Sequence, residues 1–414
     1  MAFHDALAAA VRARTPSVWR AADLDRLDPD LLFAAVCEAV AGPQDRASAR
    51  PRIYQDGSAC EPILPDLLPN AADGSFAGWL DRVERTRGDT ALIVNDFQAA
   101  SLEMWRAARR VMSPLAEAIG VPAAGASWDL FSGRYARTAF GVHKDDQDVI
   151  TLVVEGHKRF HLWPFEALAH LPGVTPGLRL RGHGLGDPAD LPAPLVLDAA
   201  PGDVLYWPAE WWHVAVAADD TLVTTVGIGL FRPTDPLRLV AEAVAAAGEG
   251  LPPAPLPALP PSGDLTAAAD QLWDDILAWF ATPALRAEAR PLLLGWASAL
   301  GFAALPSLPD AAPFTGGTIR RAGPLVWTRA DPETLSLGVS GRVIPLPWHP
   351  ALPELLQALY EDRALSVADV RHQLTTPRCE GDVEHTCDPD VADTLVGLLV
   401  AMEGVVVDAN CADG

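Results

Sequence analysis

Two periodicities divide the chain. Trp105, Ala108, Met112, Leu115 and Ile119 recur at intervals of three and four, which predicts a one-faced helix over residues 100–119, ended by Gly120. From Trp128 to Phe231 the pattern shortens to β-rich runs separated by turn residues. Asp148–Val154 and His157–Trp163 read as strands meeting in a hairpin at Glu155-Gly156. Leu195–Asp198, Asp203–Trp207, Trp212–Val216 and Thr221–Val226 follow. So many short strands predict a sandwich or jelly-roll barrel. Ahead of them, residues 1–48 read as short helices, Arg52–Gln55 and Ala91–Asn95 as strands, and Phe76–Arg87 as a helix.

Beyond Arg232-Pro233 the strand pattern stops. A helix is expected over Pro236–Ala247, then a semi-rigid proline-rich spacer over 248–263, then helices over roughly 265–301, one with Leu272, Ile276, Leu277 and Phe280 on a face. Near the C-terminus, Leu352, Leu355, Leu356 and Leu359 form a helical stripe. Ser366-Val-Ala-Asp369 opens a second short helix, and Asp388-Pro389 opens a third with Val391, Leu395, Leu398, Leu399 and Met402 inward, stopped by Gly404. With the β-run Val405–Val407, this spells a winged-helix-like module. The fold class is therefore α+β. The expected domains are a barrel with a helical N-terminal part over 1–232, a helical linker or dimerisation region over 233–325, and the winged-helix-like part over 326–414.

Charge narrows the partners. The 414 residues carry a formal charge of -23, which repels nucleic-acid phosphate and suits a basic partner. From Asp331 onward there are 15 acidic and 4 basic residues, so DNA binding is not expected of the C-terminal module. Five cysteines, an odd number, argue against a disulfide framework. No signal peptide and no transmembrane run is visible, so the expected location is the cytoplasm and no membrane partner is expected.

The candidate chemistry lies in the strand-rich part. His143-Lys-Asp145 places an imidazole and a carboxylate two apart, on one face if the segment is a strand. His213 supplies a second imidazole at the end of Pro201-Gly-Asp-Val-Leu-Tyr-Trp-Pro-Ala-Glu-Trp-Trp-His213. Two histidines and one carboxylate are the ligand set of a mononuclear Fe(II) site with open positions. Each part has a plainer reading: His143 as a turn residue beside the polar run Lys144–Asp148, His213 as a core histidine among tryptophans, and Lys158 and Arg159 as exposed alternating charges. Against the last, a lysine inside a barrel supplies the cation that a keto-acid co-substrate needs for its far carboxylate.

Taken in order, His143-Lys-Asp145, Glu155-Gly-His-Lys158-Arg-Phe and Gly202-Asp-Val-Leu-Tyr-Trp-Pro…Trp-Trp-His213 resemble the JmjC/cupin-type 2-oxoglutarate oxygenases. Within these they are most similar to the ribosomal oxygenases and the asparaginyl hydroxylase branch. The resemblance implies a double-stranded β-helix, His143, Asp145 and His213 as Fe(II) ligands, and Lys158 as partner of the distal carboxylate of 2-oxoglutarate, with O2 as second co-substrate. It also implies a dimer and a C-terminal winged helix. Where the asparaginyl hydroxylase branch has a threonine three residues before its first ligand, this chain has Phe140. Thr138 or Tyr135 could replace it, and Thr225 either touches the co-substrate or is simply a strand former. The expected activity is hydroxylation of a residue in a protein or peptide, such as a ribosomal protein or a biosynthetic precursor. The alternatives are hydroxylation of a free amino acid or small natural product, and a non-catalytic cupin-like binding module. Cys379, His385 and Cys387, with His372 and Cys411 nearby, form a separate cluster whose spacing does not match a standard zinc site.

Overall fold

The computed structural model describes residues 3–22, 26–41, 51–85, 89–174, 185, 187–217, 221–232 and 283–408. The expected helix Pro236–Ala247, the proline-rich stretch 248–263, the stripe Leu272–Phe280 and Cys411 lie outside the described residues. The chain divides into one unit of Met1–Thr234 with Leu300–Leu308 and another of Asp235–Ala299 with Pro309–Gly414.

The first unit opens with α1 (Phe3–Ala13), β1 (Ser17–Trp19), α2 (Pro29–Ala41), β2 (Pro51–Gln55), β3 (Ser58–Ala59), α3 (Phe76–Glu84), β4 (Thr90–Val94) and α4 (Leu102–Ile119). The barrel strands are β5 (Ala126–Gly133), β6 (Gln147–Glu155), β7 (Lys158–Trp163), β8 (Leu195–Ala199), β9 (Val204–Trp207), β10 (Trp212–Ala217) and β11 (Val223–Phe231), with the single turn α5 (Phe165–Leu168) after β7. Ser101 caps α4 by accepting from the Met104 amide, and Gly120 ends it. Trp105, Ala108, Met112 and Leu115 then sit in the principal core.

Eight strands pair in the order β1-β9-β6-β11-β5-β4-β2-β3, and a smaller sheet runs β10-β7-β8. Side-chain alternation decides what each face of the large sheet does. Ile150 and Leu152 of β6, with Val226 and Ile228 of β11, point outward into the helix-covered core. Val149 and Val153 point inward, where they meet Phe160, Leu162, Leu197 and Trp207. Both faces of β6 are therefore covered, which explains its near-continuous apolar sequence.

The expected hairpin at Glu155-Gly156 does not form. β6 pairs with β11 and β9, whereas β7 pairs with β10 and β8. The turn instead carries the chain from one sheet of the barrel to the other. Gly156 takes φ +70°, and a Cβ there would lie 2.2 Å from the Leu222 carbonyl oxygen. This crossing needs a residue without a side chain, so glycine is required here for a reason other than a hairpin.

In the second unit, α6 (Pro283–Ser298) packs on a meander of β13 (Leu325–Asp331), β14 (Thr334–Val339) and β15 (Arg342–Pro347), with β12 (Thr318–Arg321) preceding it. The meander is absent from the sequence reading, because Pro345 and Pro347 interrupt its last strand. There follow α7 (Ala351–Tyr360), β16 (Leu365–Ser366), α8 (Val367–Thr375), the hairpin β17 (Arg378–Glu380) and β18 (Val383–His385), α9 (Pro389–Ala401) and β19 (Val405–Asp408). β16 and β19 flank β12. Ser366 and Asp388 cap α8 and α9 as their positions foretell. Leu352, Leu355, Leu356, Leu359, Leu395 and Leu399 share one core. Val391 is exposed, and Val396 takes an inward position in its place.

Candidate metal centre

His143 and Asp145 lie just before β6 and not on a strand, contrary to the sequence expectation. Their convergence has another cause. The amide of His143 donates to the His213 carbonyl at 3.0 Å, and the amide of His213 donates back at 2.7 Å. This doubly bonded pair sets the two imidazoles side by side, with ring centroids 4.4 Å apart. Val142 makes a similar single bridge to Leu185. The chain is therefore anchored at Val142 and His143, just ahead of Asp145.

Local carbonyls orient each ring. Nδ1 of His143 lies 2.9 Å from the Gly141 oxygen, and Nδ1 of His213 lies 3.2 Å from the Trp211 oxygen. A carbonyl only accepts, so Nδ1 carries the proton and Nε2 presents its lone pair. Both Nε2 atoms face the Asp145 carboxylate, at 3.9 Å from His143 and 3.4 Å from His213. The three side chains offer ligand atoms within 4.8 Å of one another, and no other group of three or more does so among the described residues. Burial, and then the neighbouring His213, hold the His143 imidazole down to about 4, against the pull of Asp145. Burial pushes the Asp145 carboxyl up, but the adjoining imidazoles of His213 and His143 outweigh it and hold the group below its usual range. A neutral imidazole and an ionised carboxylate are the forms that bind metal. The donor set, its tautomers and its protonation states thus fit a divalent transition ion.

The triad borders a cavity of about 1300 Å³. Lys158, Tyr135, Thr138 and Thr225, each singled out in the sequence, line the same cavity. Lys158 is 3% exposed, so the reading of exposed alternating charges fails for it; Arg159, its neighbour, faces outward and pairs with Asp198. Nζ of Lys158 donates to the Tyr135 hydroxyl and lies 4.7 Å from the centre of that ring. The buried Thr138 hydroxyl has no hydrogen-bond partner among the described residues. Thr225, 2% exposed, lies on β11 between Phe131 and Val153. Phe140 sets its ring edge-on to His143. Lys144 and Asp148 are buried, so the run 144–148 is not a solvated stretch.

Several lining residues escaped the sequence reading. Phe160 stands two positions after Lys158 on the same strand face, a signal that period-two alternation offers. Asp129, a lone acid in the apolar strand β5, is 6% exposed. Burial pushes its carboxyl up to about 6, against hydrogen bonds from Asn95, the Asp96 amide and Ser127. Asn95, Gln147 and Trp207 join the cavity through pairings that no local pattern reveals. In the second unit, Cys379 is exposed and Cys387 is buried in the apolar core, and that cluster brings no metal-ligand group together among the described residues.

Residues 121–235 match the JmjC domain family. Among solved structures, an X-ray structure of E. coli ycfD is similar over 95% of both chains, at 18% identity and a TM-score of 0.55. A crystal structure described as the E. coli ribosomal oxygenase YcfD matches at 19% identity and a TM-score of 0.54, again over 95% of each chain. A third, of YcfD in complex with cobalt and 2-oxoglutarate, matches at 17% identity, a TM-score of 0.51 and 95% of each chain. Comparison with curated protein sequences gave no match. The resemblance first seen in three motifs thus holds at the level of the fold: residues 121–235 match the JmjC domain family, and the chain is similar in fold to the E. coli YcfD structures.

Proposed function

We propose that the protein is an Fe(II)- and 2-oxoglutarate-dependent oxygenase that hydroxylates a residue of a protein or peptide. The observation that carries this reading is the convergence of His143, Asp145 and His213 on the wall of a cavity that also holds the buried cation Lys158. His143, Asp145 and His213 would hold the iron, which with 2-oxoglutarate and O2 supplies the oxidising chemistry. Lys158 would pair with the distal carboxylate of 2-oxoglutarate, and the Thr138 hydroxyl, Tyr135 and Thr225, which line the same cavity, would contact the same molecule. Phe160 and Trp207 pack around His213 and Lys158 and would exclude water. The cavity exceeds the ~300–1,000 Å³ common for small-molecule pockets, which favours a macromolecular substrate over a free amino acid. A net charge of -23 favours a basic one, such as a ribosomal protein.

The C-terminal helices with β12, β16 and β19 support a winged-helix-like module. A cytoplasmic home suits the cysteines, which form no disulfide among the described residues. The likeness to a structure bound to cobalt and 2-oxoglutarate supports the same pair of ligands here.

Anaerobic addition of Fe(II) and 2-oxoglutarate tests the proposal. A metal-to-ligand charge-transfer band is expected, and His143→Ala or Asp145→Ala should abolish it. Its absence from the wild-type protein would reduce the chain to a binding module.

A further inference from the structure

We infer that Asp148 and Arg14 are positioning residues for the metal centre, so that the N-terminal helix governs metal affinity without touching the ligands. The inference rests on the metal reading of His143, Asp145 and His213. Asp148 is the second residue of β6, three residues after Asp145, and its side chain is 2% exposed. Its carboxylate accepts from Nη1 of Arg14 at 2.6 and 2.8 Å, from Nε and Nη2 of Arg232 at 3.1 and 2.8 Å, and from the Ala209 amide at 2.9 Å. Arg14 extends the link by binding Glu210 through Nε and Nη2. One buried carboxylate thus joins the end of α1, the segment that follows two ligands, the Ala209-Glu210 turn that leads to His213, and the end of β11.

The backbone at Arg14 supports a dedicated role. The Thr15 amide donates to Ala10 and the Arg14 amide to Val11, closing α1 with Arg14 at φ +57°. That left-handed place after a helix is one where glycine is favoured. A glycine could not supply the guanidinium that bridges Asp148 and Glu210. The backbone bridge between His143 and His213 fixes those two residues to each other, but it leaves Asp145 and the 209–212 approach to be aligned by other means. The Asp148 hub performs that alignment from outside the cavity. Partners in the shell around ligands commonly change metal affinity 10- to 100-fold when removed.

The test is Co(II) titration of the full chain, read by the d–d absorption spectrum, beside thermal melts of the metal-free protein. For Arg14→Met we expect about tenfold weaker Co(II) binding and an altered d–d band, with the metal-free melting temperature within a few degrees of wild type. Glu210→Gln, which breaks only the outer contact, should show the same effect to a smaller degree and guards against a misfolded Arg14 variant. Wild-type Co(II) affinity and spectrum in both variants would overturn the positioning role alone. Failure of the wild-type protein to bind Co(II) would overturn this inference and the proposed function together.

Discussion

Lys158 shows how one side chain separates two functions of the cavity. It is buried, donates to Tyr135 and lies against Phe160, yet it takes no part in the His143–Asp145–His213 group. A charge-assisted hydrogen bond to a carboxylate contributes about 1.5–3 kcal/mol. Lys158→Ala should therefore weaken 2-oxoglutarate binding roughly ten- to hundredfold and leave Co(II) affinity near wild type. Separate titrations of metal and co-substrate check this, and equal loss of both would make Lys158 structural. At this scale the sequence was most legible. Imidazole, carboxylate and lysine have few chemical uses, and their order along the chain narrows those uses further. Asp129, Asn95 and Gln147 were not legible, because their role depends on which strands become neighbours.

At the scale of elements, the turn at Gly156 carries a second expectation. Alanine there would meet a left-handed backbone that costs an L-residue about 1–2 kcal/mol, and its Cβ would strike the Leu222 carbonyl. Gly156→Ala should lower stability by about 2 kcal/mol or more, seen as a drop of several degrees in thermal melts, and should weaken 2-oxoglutarate binding because β7 presents Lys158. An unchanged melting temperature would mean the turn relaxes freely. The same turn marks the limit of pattern reading. Period two identified β6 and β7 correctly and told which side chains share a face. It could not tell that consecutive strands enter different sheets, because their partners β11 and β10 lie far along the chain, with even the nearest pair, Trp163 and Trp212, distant in sequence. The helix α4 had no such ambiguity, since its contacts repeat within a few residues.

The whole molecule carries a charge of -23 on 414 residues, enough for self-repulsion to oppose the compact state. Raising salt from about 20 to 300 mM shortens the Debye length to well under 10 Å, and the melting temperature should rise. A fall would show that ion pairs such as Arg14–Asp148 and Arg82–Asp73 outweigh the repulsion. One feature of the barrel bears on how the protein is supplied with its ion. His143 and His213 are held together by two amide–carbonyl bonds that require no ion. The two nitrogen donors are consequently gathered in the apoprotein, and later first-row divalent ions should compete for them in the usual order of affinity, ahead of iron. Selection among metals would then fall to cellular availability, and protein recovered from nickel- or zinc-rich surroundings should carry the wrong ion until it is stripped.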